Sequence, residues 1–149
     1  MTPEFHQLTH ADLDRLVAMM REYYLYDNLV FDEDVARNAA SMLLEDESLG
    51  GIWLIRLDGV EVGYAVLAYS FSLEFHGRQA FVDELYVREA HRGRSIGTAT
   101  LDFLAVFCGS RGIRALRLEV ERENKPAQGL YRKIGFEQHD RYLMTRWLL

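Results

Sequence analysis

The sequence predicts an α/β fold of the α+β kind, a mixed and mostly antiparallel central sheet flanked by helices. Three observations carry that prediction. Two early stretches repeat apolar residues at three- and four-residue steps, three β-type runs follow one another through tight-turn pairs, and the second half alternates helix, strand and helix. A chain of 149 residues falls within the usual size of one domain and can bury a core, so residues 1–149 are read as one unit.

Glu4 to Leu8 reads as a short first strand. Thr9 then stands as a helix cap, with Asp12 three residues later favouring the helix start. Leu13, Leu16, Val17, Met20 and Tyr24 build one apolar stripe on that helix. Asp32 reads as the next cap, and Val35, Ala39, Met42 and Leu43 mark a second helix over Glu33 to Leu44, ended by Glu45-Asp46-Glu47. Gly51 to Leu57 and Val60 to Phe71 form a hairpin through Asp58-Gly59, and His76-Gly77 turns the chain into a third long strand, Gln79 to Arg88. Ser95 to Arg111 has helical length and stops at Gly112. A strand over Ala115 to Val120 and a last helix over Lys125 to Ile134, stopped by Gly135, follow. Phe136 to Leu149 holds enough aromatic and aliphatic residues for one or two closing strands.

Hydrophobic residues make up 49% and charged residues 27%, the balance of a globular protein. Met1-Thr2-Pro3-Glu4 carries no basic leader, and the apolar runs break well before the roughly 18 residues a bilayer span needs. The expected location is therefore cytoplasmic, with no membrane partner. The single cysteine, Cys108, sits in an apolar helical stretch and reads as core. His6, His10, His76, His91 and His139 lack close ligand spacing, so no metal is expected.

The net charge of −6 argues against nucleic-acid binding, and its distribution says more. Met1 to Phe75 holds 4 basic against 14 acidic residues, a net of −10, whereas His76 to Leu149 holds 13 against 9, a net of +4. The first half suits a cation and the second an anion.

The most informative stretch is Val87 to Thr98, where a strand ends, a loop reads Arg92-Gly93-Arg94-Ser95-Ile96-Gly97, and a helix begins. Small residues let the backbone approach a ligand, and the free N–H groups and positive end of the helix face phosphate oxygens. A P-loop is excluded, because no Gly-Lys-Ser/Thr ending is present.

This loop resembles the phosphate loop Arg/Gln-x-x-Gly-x-Gly/Ala of the GNAT acetyltransferase superfamily, with Arg92 and Gly97 in register and Ser95 where the family has its central glycine. Val82-Asp83-Glu84-Leu85-Tyr86-Val87 is similar to the family's central strand. Asn124 to Phe136 resembles its Asn-x-x-Ala-x-x-x-Tyr-x-x-x-Gly-Phe segment, in the right order and separation. The resemblance implies a GNAT fold, a sheet of six to seven strands with about four helices. It also implies transfer of an acetyl group from acetyl-CoA to a primary amine by direct attack, without a metal.

By that resemblance, Leu85, Tyr86 and Val87 would pair with the pantetheine arm. Arg92, Gly93, Arg94, Ser95, Ile96, Gly97 and Thr98 would hold the pyrophosphate, Asn124 would touch the coenzyme, and Tyr131 would be the general acid for the leaving thiolate. Asp83 and Glu84 are the candidate bases, with Glu119 a third. As neighbours on a strand, Asp83 and Glu84 should point to opposite faces.

Tyr23, Tyr24, Tyr26 and Phe31 fall between the first two helices, where GNAT proteins commonly build the acceptor pocket, and with the acidic first half they suit a small cationic amine. The chain is similar in this respect to diamine, polyamine and aminoglycoside acetyltransferases. A small-molecule amine is the expected partner, and a homodimer is admitted. Acetylation of a protein or peptide amine, and a non-catalytic acyl-CoA sensor, stay open as alternatives.

Overall fold

A computed structural model describes residues 2–149 of the chain. It forms two compact units, Met1–Leu118 and Glu119–Leu149. The first holds a five-stranded sheet in the order β1 (Glu4–Gln7), β2 (Gly50–Leu57), β3 (Val60–Ser72), β4 (Gly77–Val87) and β5 (Ala115–Arg117). β1 to β4 are antiparallel neighbours, and β5 joins β4 in parallel. This is the mixed, mostly antiparallel sheet the sequence predicts. Helices α1 (Leu13–Tyr26), α2 (Glu33–Glu45) and α3 (Ile96–Ser110) belong to the same unit, and α4 (Lys125–Lys133) to the second.

Alternation along the strands explains the layers. Ile52 and Leu54 of β2, with Tyr64 and Val66 of β3, bury one sheet face against Leu16 and Met19 of α1 and Ala40 of α2. The intervening Trp53, Ala65 and Leu67 bury the other face against Leu104 and Cys108 of α3. Cys108 is a free thiol in this second core, and burial pushes its pKa up to about 11, which keeps it protonated and inert.

The turn chemistry follows the sequence. Asp58 and Gly59 both adopt positive φ between β2 and β3, as a two-residue hairpin turn requires. The Asp32 carboxylate accepts the Val35 N–H at 3.2 Å and caps α2. At the first cap a short 3₁₀ turn, His10–Asp12, precedes α1. There Asp12 accepts hydrogen bonds from the Thr9 N–H and the Thr9 hydroxyl, both at 2.9 Å, and pairs with Arg15 and with His6. Burial raises the Asp12 pKa, but the Thr9 donors, Arg15 and His6 outweigh it and hold the group at about 2.

A carboxyl lowered in the folded state contributes stability above its unfolded pKa and loses it as pH falls through the folded value. Asp12→Asn is therefore expected to cost roughly 2 kcal/mol at neutral pH and to flatten the loss of stability between about pH 4 and pH 2. Urea unfolding at both ends of that range measures it, and a parallel pH dependence in the two proteins refutes it.

Two expectations are corrected. β5 spans Ala115–Arg117 rather than reaching Val120, because its ladder with β4 ends at the Phe81–Arg117 pair. Phe136 to Leu149 forms no strand, so the described residues hold five strands and not six or seven. A strand needs a neighbour for its backbone groups, and the second unit contains none: Tyr142, Met144, Trp147 and Leu148 stay exposed despite their β propensity. No helix among the described residues is long and apolar enough to cross a membrane.

Candidate active site

The site is organised by an irregularity in β4. Val66 of β3 faces Glu84, but the next residue, Leu67, faces Val82, so Asp83 has no partner and forms a β-bulge. A bulge breaks the strict alternation of side chains. Asp83 and Glu84 consequently line the same cavity, instead of facing opposite ways as neighbours on a regular strand would. The cavity, of about 300 Å³, lies between α1, α2 and the sheet.

Glu84 is clamped. The Tyr24 hydroxyl from α1 and the Tyr64 hydroxyl from β3 each donate to its carboxylate at 2.6 Å. Burial pushes the Glu84 pKa up, the two tyrosine donors pull it down, and the Asp83 charge pushes it up again, with a net rise. Burial followed by the Glu84 interactions raises Tyr24; for Tyr64 the order is burial, then the Glu84 charge and hydrogen bond, so both stay protonated and keep donating. Asp83 is more open to solvent, and partial burial of its carboxyl raises its pKa as well.

The three tyrosines expected to contact an acceptor divide their work. Tyr24 lines the cavity, with Phe31 edge-on to it at 5.4 Å between ring centres. Tyr23 packs against Tyr64 and Tyr86, and burial, followed by nearby acidic charges, pushes it up to about 12. Tyr26 is outside the cavity, its ring under the Arg92 guanidinium at 4.2 Å. Tyr64 was not among the sequence candidates. Its signal was there: a tyrosine within an apolar strand must bury its ring and still find a hydrogen-bond partner for its hydroxyl.

β4 continues past the bulge to Val87 paired with β3, while β5 stops beside Phe81. Leu85, Tyr86 and Val87 thus keep β3 on one side and have no β5 partner on the other. Every second backbone N–H of such an edge points away from the ladder. The chain then turns through Arg88, whose guanidinium donates to the Glu61 carbonyl at 2.9 Å and to Glu22 at 3.0 Å.

The loop that follows has the shape of an anion site. Arg92 donates through Nε to the Val87 carbonyl at 2.8 Å, so it pins the loop to the end of β4 as well as adding charge. Gly93 and Ser95 adopt φ of +75° and +61°. Ser95 therefore takes the left-handed conformation that a glycine would hold at less cost, and preserves the turn. Ala99 N–H makes the first bond of α3, to the Ser95 carbonyl, which leaves the amides of Ile96, Gly97 and Thr98 as unpaired first-turn donors. A side-chain carbon at Gly93 or Gly97 would meet nothing within 4 Å, so packing does not demand glycine there. Open space beside free amides fits a phosphate group, and Arg94 stands exposed at its side.

In the second unit, Asn124 uses its side-chain oxygen to cap α4 by accepting the Ala127 N–H at 3.2 Å. Tyr131 is half-buried on α4, edge-on to Phe136 at 5.9 Å, and burial raises its pKa. Glu119 lies beyond the end of β5 and is exposed, not on a strand as expected. No group of three His, Cys, Asp or Glu among the described residues is arranged to hold a metal ion.

Comparison with known proteins places this geometry. The acetyltransferase (GNAT) family pattern matches residues 13–136. The uncharacterized N-acetyltransferase MJ1207 of Methanocaldococcus jannaschii is 30% identical over 99% of this chain and 65% of its own length. The thialysine N-epsilon-acetyltransferase of Bos taurus is 34% identical over 50% of this chain and 43% of its own. The chain thus spans less than two thirds of these curated relatives. Among solved structures, an integron cassette protein from the mobile metagenome of Cole Harbour Salt Marsh superposes with a TM-score of 0.86 and 34% identity, covering 97% of this chain and 90% of that one. Together with the bulged β4 strand and the loop into α3, the match over most of the sequence shows that the chain belongs to the GNAT acetyltransferase family.

Proposed function

We propose that this protein transfers an acetyl group from acetyl-CoA to a small cationic primary amine, with residues 1–149 working as a single acetyltransferase domain. The observation that carries the reading is the pair of carboxylates, Asp83 and Glu84, brought into one cavity by the bulge on a strand that leads into an anion-binding loop. The family match crosses the boundary between the two units, which supports their acting as one domain. A relative is named for acetylating thialysine, an amine. A cytoplasmic location and a homodimer belong to the same proposal.

Each group then has a role. The amides of Ile96, Gly97 and Thr98, with Arg92 and Arg94, hold the pyrophosphate, and the open edge over Leu85 to Val87 takes the pantetheine arm as an added strand. Bound acetyl-CoA supplies a thioester carbonyl open to attack by an amine. An amine of pKa near 10 arrives protonated, and Glu84, fixed by its two tyrosines, attracts the ammonium while Asp83 takes the proton. Edge N–H groups of β4 hydrogen-bond the carbonyl oxygen as the N–C bond forms and the C–S bond breaks. Tyr131 donates to the departing sulfur, and Asn124 lies at the start of the same helix. Ser95 is compatible with turnover, because it keeps the turn that glycine would give.

A thiol-release assay with acetyl-CoA and a panel of amines and peptides tests this reading. Turnover with small amines supports it. Turnover with peptides alone makes the protein a peptide acetyltransferase, and binding without turnover makes it a sensor. Tyr131→Phe is expected to lower kcat about a hundredfold while acetyl-CoA affinity stays nearly intact. Rapid-quench measurement of the chemical step checks it, and an unchanged rate returns Tyr131 to a packing role against Phe136.

A further inference from the structure

The walls of the cavity are as informative as its carboxylates. Its acidic groups at the sheet are Asp83 and Glu84, with the Tyr24 hydroxyl committed to Glu84. Away from them the lining is apolar: Leu16 and Met20 from α1, Ala39 and Leu43 from α2, and Ile52 and Val66 from the sheet. The remaining acid, Asp32, is exposed and already caps α2 through one oxygen. At the same rim Val30 is 93% exposed and Val35 65%, so the mouth too is apolar. A volume of about 300 Å³ is at the small end of ligand pockets.

From this juxtaposition we propose that the acceptor is a primary amine carried on an apolar alkyl or aryl body, a monocation and not a diamine or polyamine. The inference rests on the acetyltransferase reading and narrows its substrate. One ammonium meets Asp83 and Glu84, and the body displaces water from the aliphatic walls. A second ammonium on the same body would lose its hydration beside side chains with no acceptor to offer. Of the lining groups left to it, the Phe31 ring already carries the Arg21 guanidinium at 5.0 Å, and Asp32 is an exposed, salt-screened partner of little worth. The acidic first half of the chain therefore draws cations to the mouth, but the walls choose among them.

The test compares butylamine, hexylamine and 1,6-diaminohexane as acceptors for the full-length protein with acetyl-CoA, at low and fixed ionic strength. Two added methylenes should raise kcat/KM about tenfold from butylamine to hexylamine. Hexylamine should exceed 1,6-diaminohexane by about tenfold or more. A diamine that equals or beats hexylamine, with turnover intact, overturns this inference and leaves the acetyltransferase reading standing. Leu43→Asp places a carboxylate on a half-buried wall position of α2, less open to solvent than Asp32, and should narrow or reverse the preference; a folded, active variant with the wild-type preference counts against the wall argument. If none of the three amines releases thiol, the small-amine reading fails, and calorimetry of the same amines with the CoA-loaded protein decides the inference separately. Tighter hexylamine supports it there, and equal binding or none refutes it.

Discussion

Replacing Asp83 by Asn is expected to lower kcat/KM for a small amine by two to three orders of magnitude, on the scale of a lost general base. Two structural facts single it out over Glu84. It stands unpaired at the bulge, and no tyrosine donor engages it as Tyr24 and Tyr64 engage Glu84. In the wild type, falling pH should protonate this carboxylate at a value above the ordinary 3.8 and so draw the rate down; the Asn variant should lack that limb. Glu84→Gln should instead act mainly on KM for the cation, since it removes a charge fixed by Tyr24 and Tyr64. The Asn variant should be no less stable than the wild type. A carboxyl whose pKa is raised on folding disfavours the folded state as pH climbs through the interval between its unfolded and folded values, and Asn removes that cost. Full pH–rate profiles of both variants distinguish the roles. Equal and trivial losses would move the base to Glu119 or to a water relay.

Gly97→Glu should weaken acetyl-CoA binding at least a hundredfold, about 3 kcal/mol, with little effect on folding. Nothing lies within 4 Å of the position a side-chain carbon would take, so the substitution fits the folded chain. A carboxylate in the first turn of α3 also favours the helix. The same charge would oppose a phosphate group at the amides of Ile96 to Thr98. Unaltered affinity by calorimetry at low salt would show that the loop does not hold the pyrophosphate. Ser95→Gly should leave affinity the same or improve it, because glycine holds φ near +61° without a side-chain penalty. Wild-type binding should weaken as salt screens Arg92 and Arg94.

Much of this protein was legible before folding because it is written in short-range preferences. Asp58-Gly59, Asp32 at the head of α2, Gly112 and Gly135 after their helices, and the loop from Arg92 to Gly97 act within a few residues of themselves. Motif order over the second half carried the family, which the match over residues 13–136 establishes.

What the sequence could not supply arises between elements distant along the chain. Asp83 and Glu84 share a cavity only because the register of β4 slips by one residue against β3, and no local preference announces a bulge at Asp83. Tyr64 meets Glu84 across twenty residues, and Tyr24 meets it across sixty. Tyr23, Tyr24 and Tyr26 look alike in sequence, but successive helix positions point in different directions, so packing sends one to the core, one to the cavity and one beneath Arg92. Phe136 to Leu149 shows the converse. Its β propensity is a liking for a pleated neighbour, and in a unit without another strand it produces none. The sequence by itself determined the family, the caps and the strand-to-helix turn from Arg92 to Gly97, because those depend on contiguous residues. The tertiary structure alone decided which carboxylate is free and what walls the cavity, because those depend on strand register and on helices packed across a sheet.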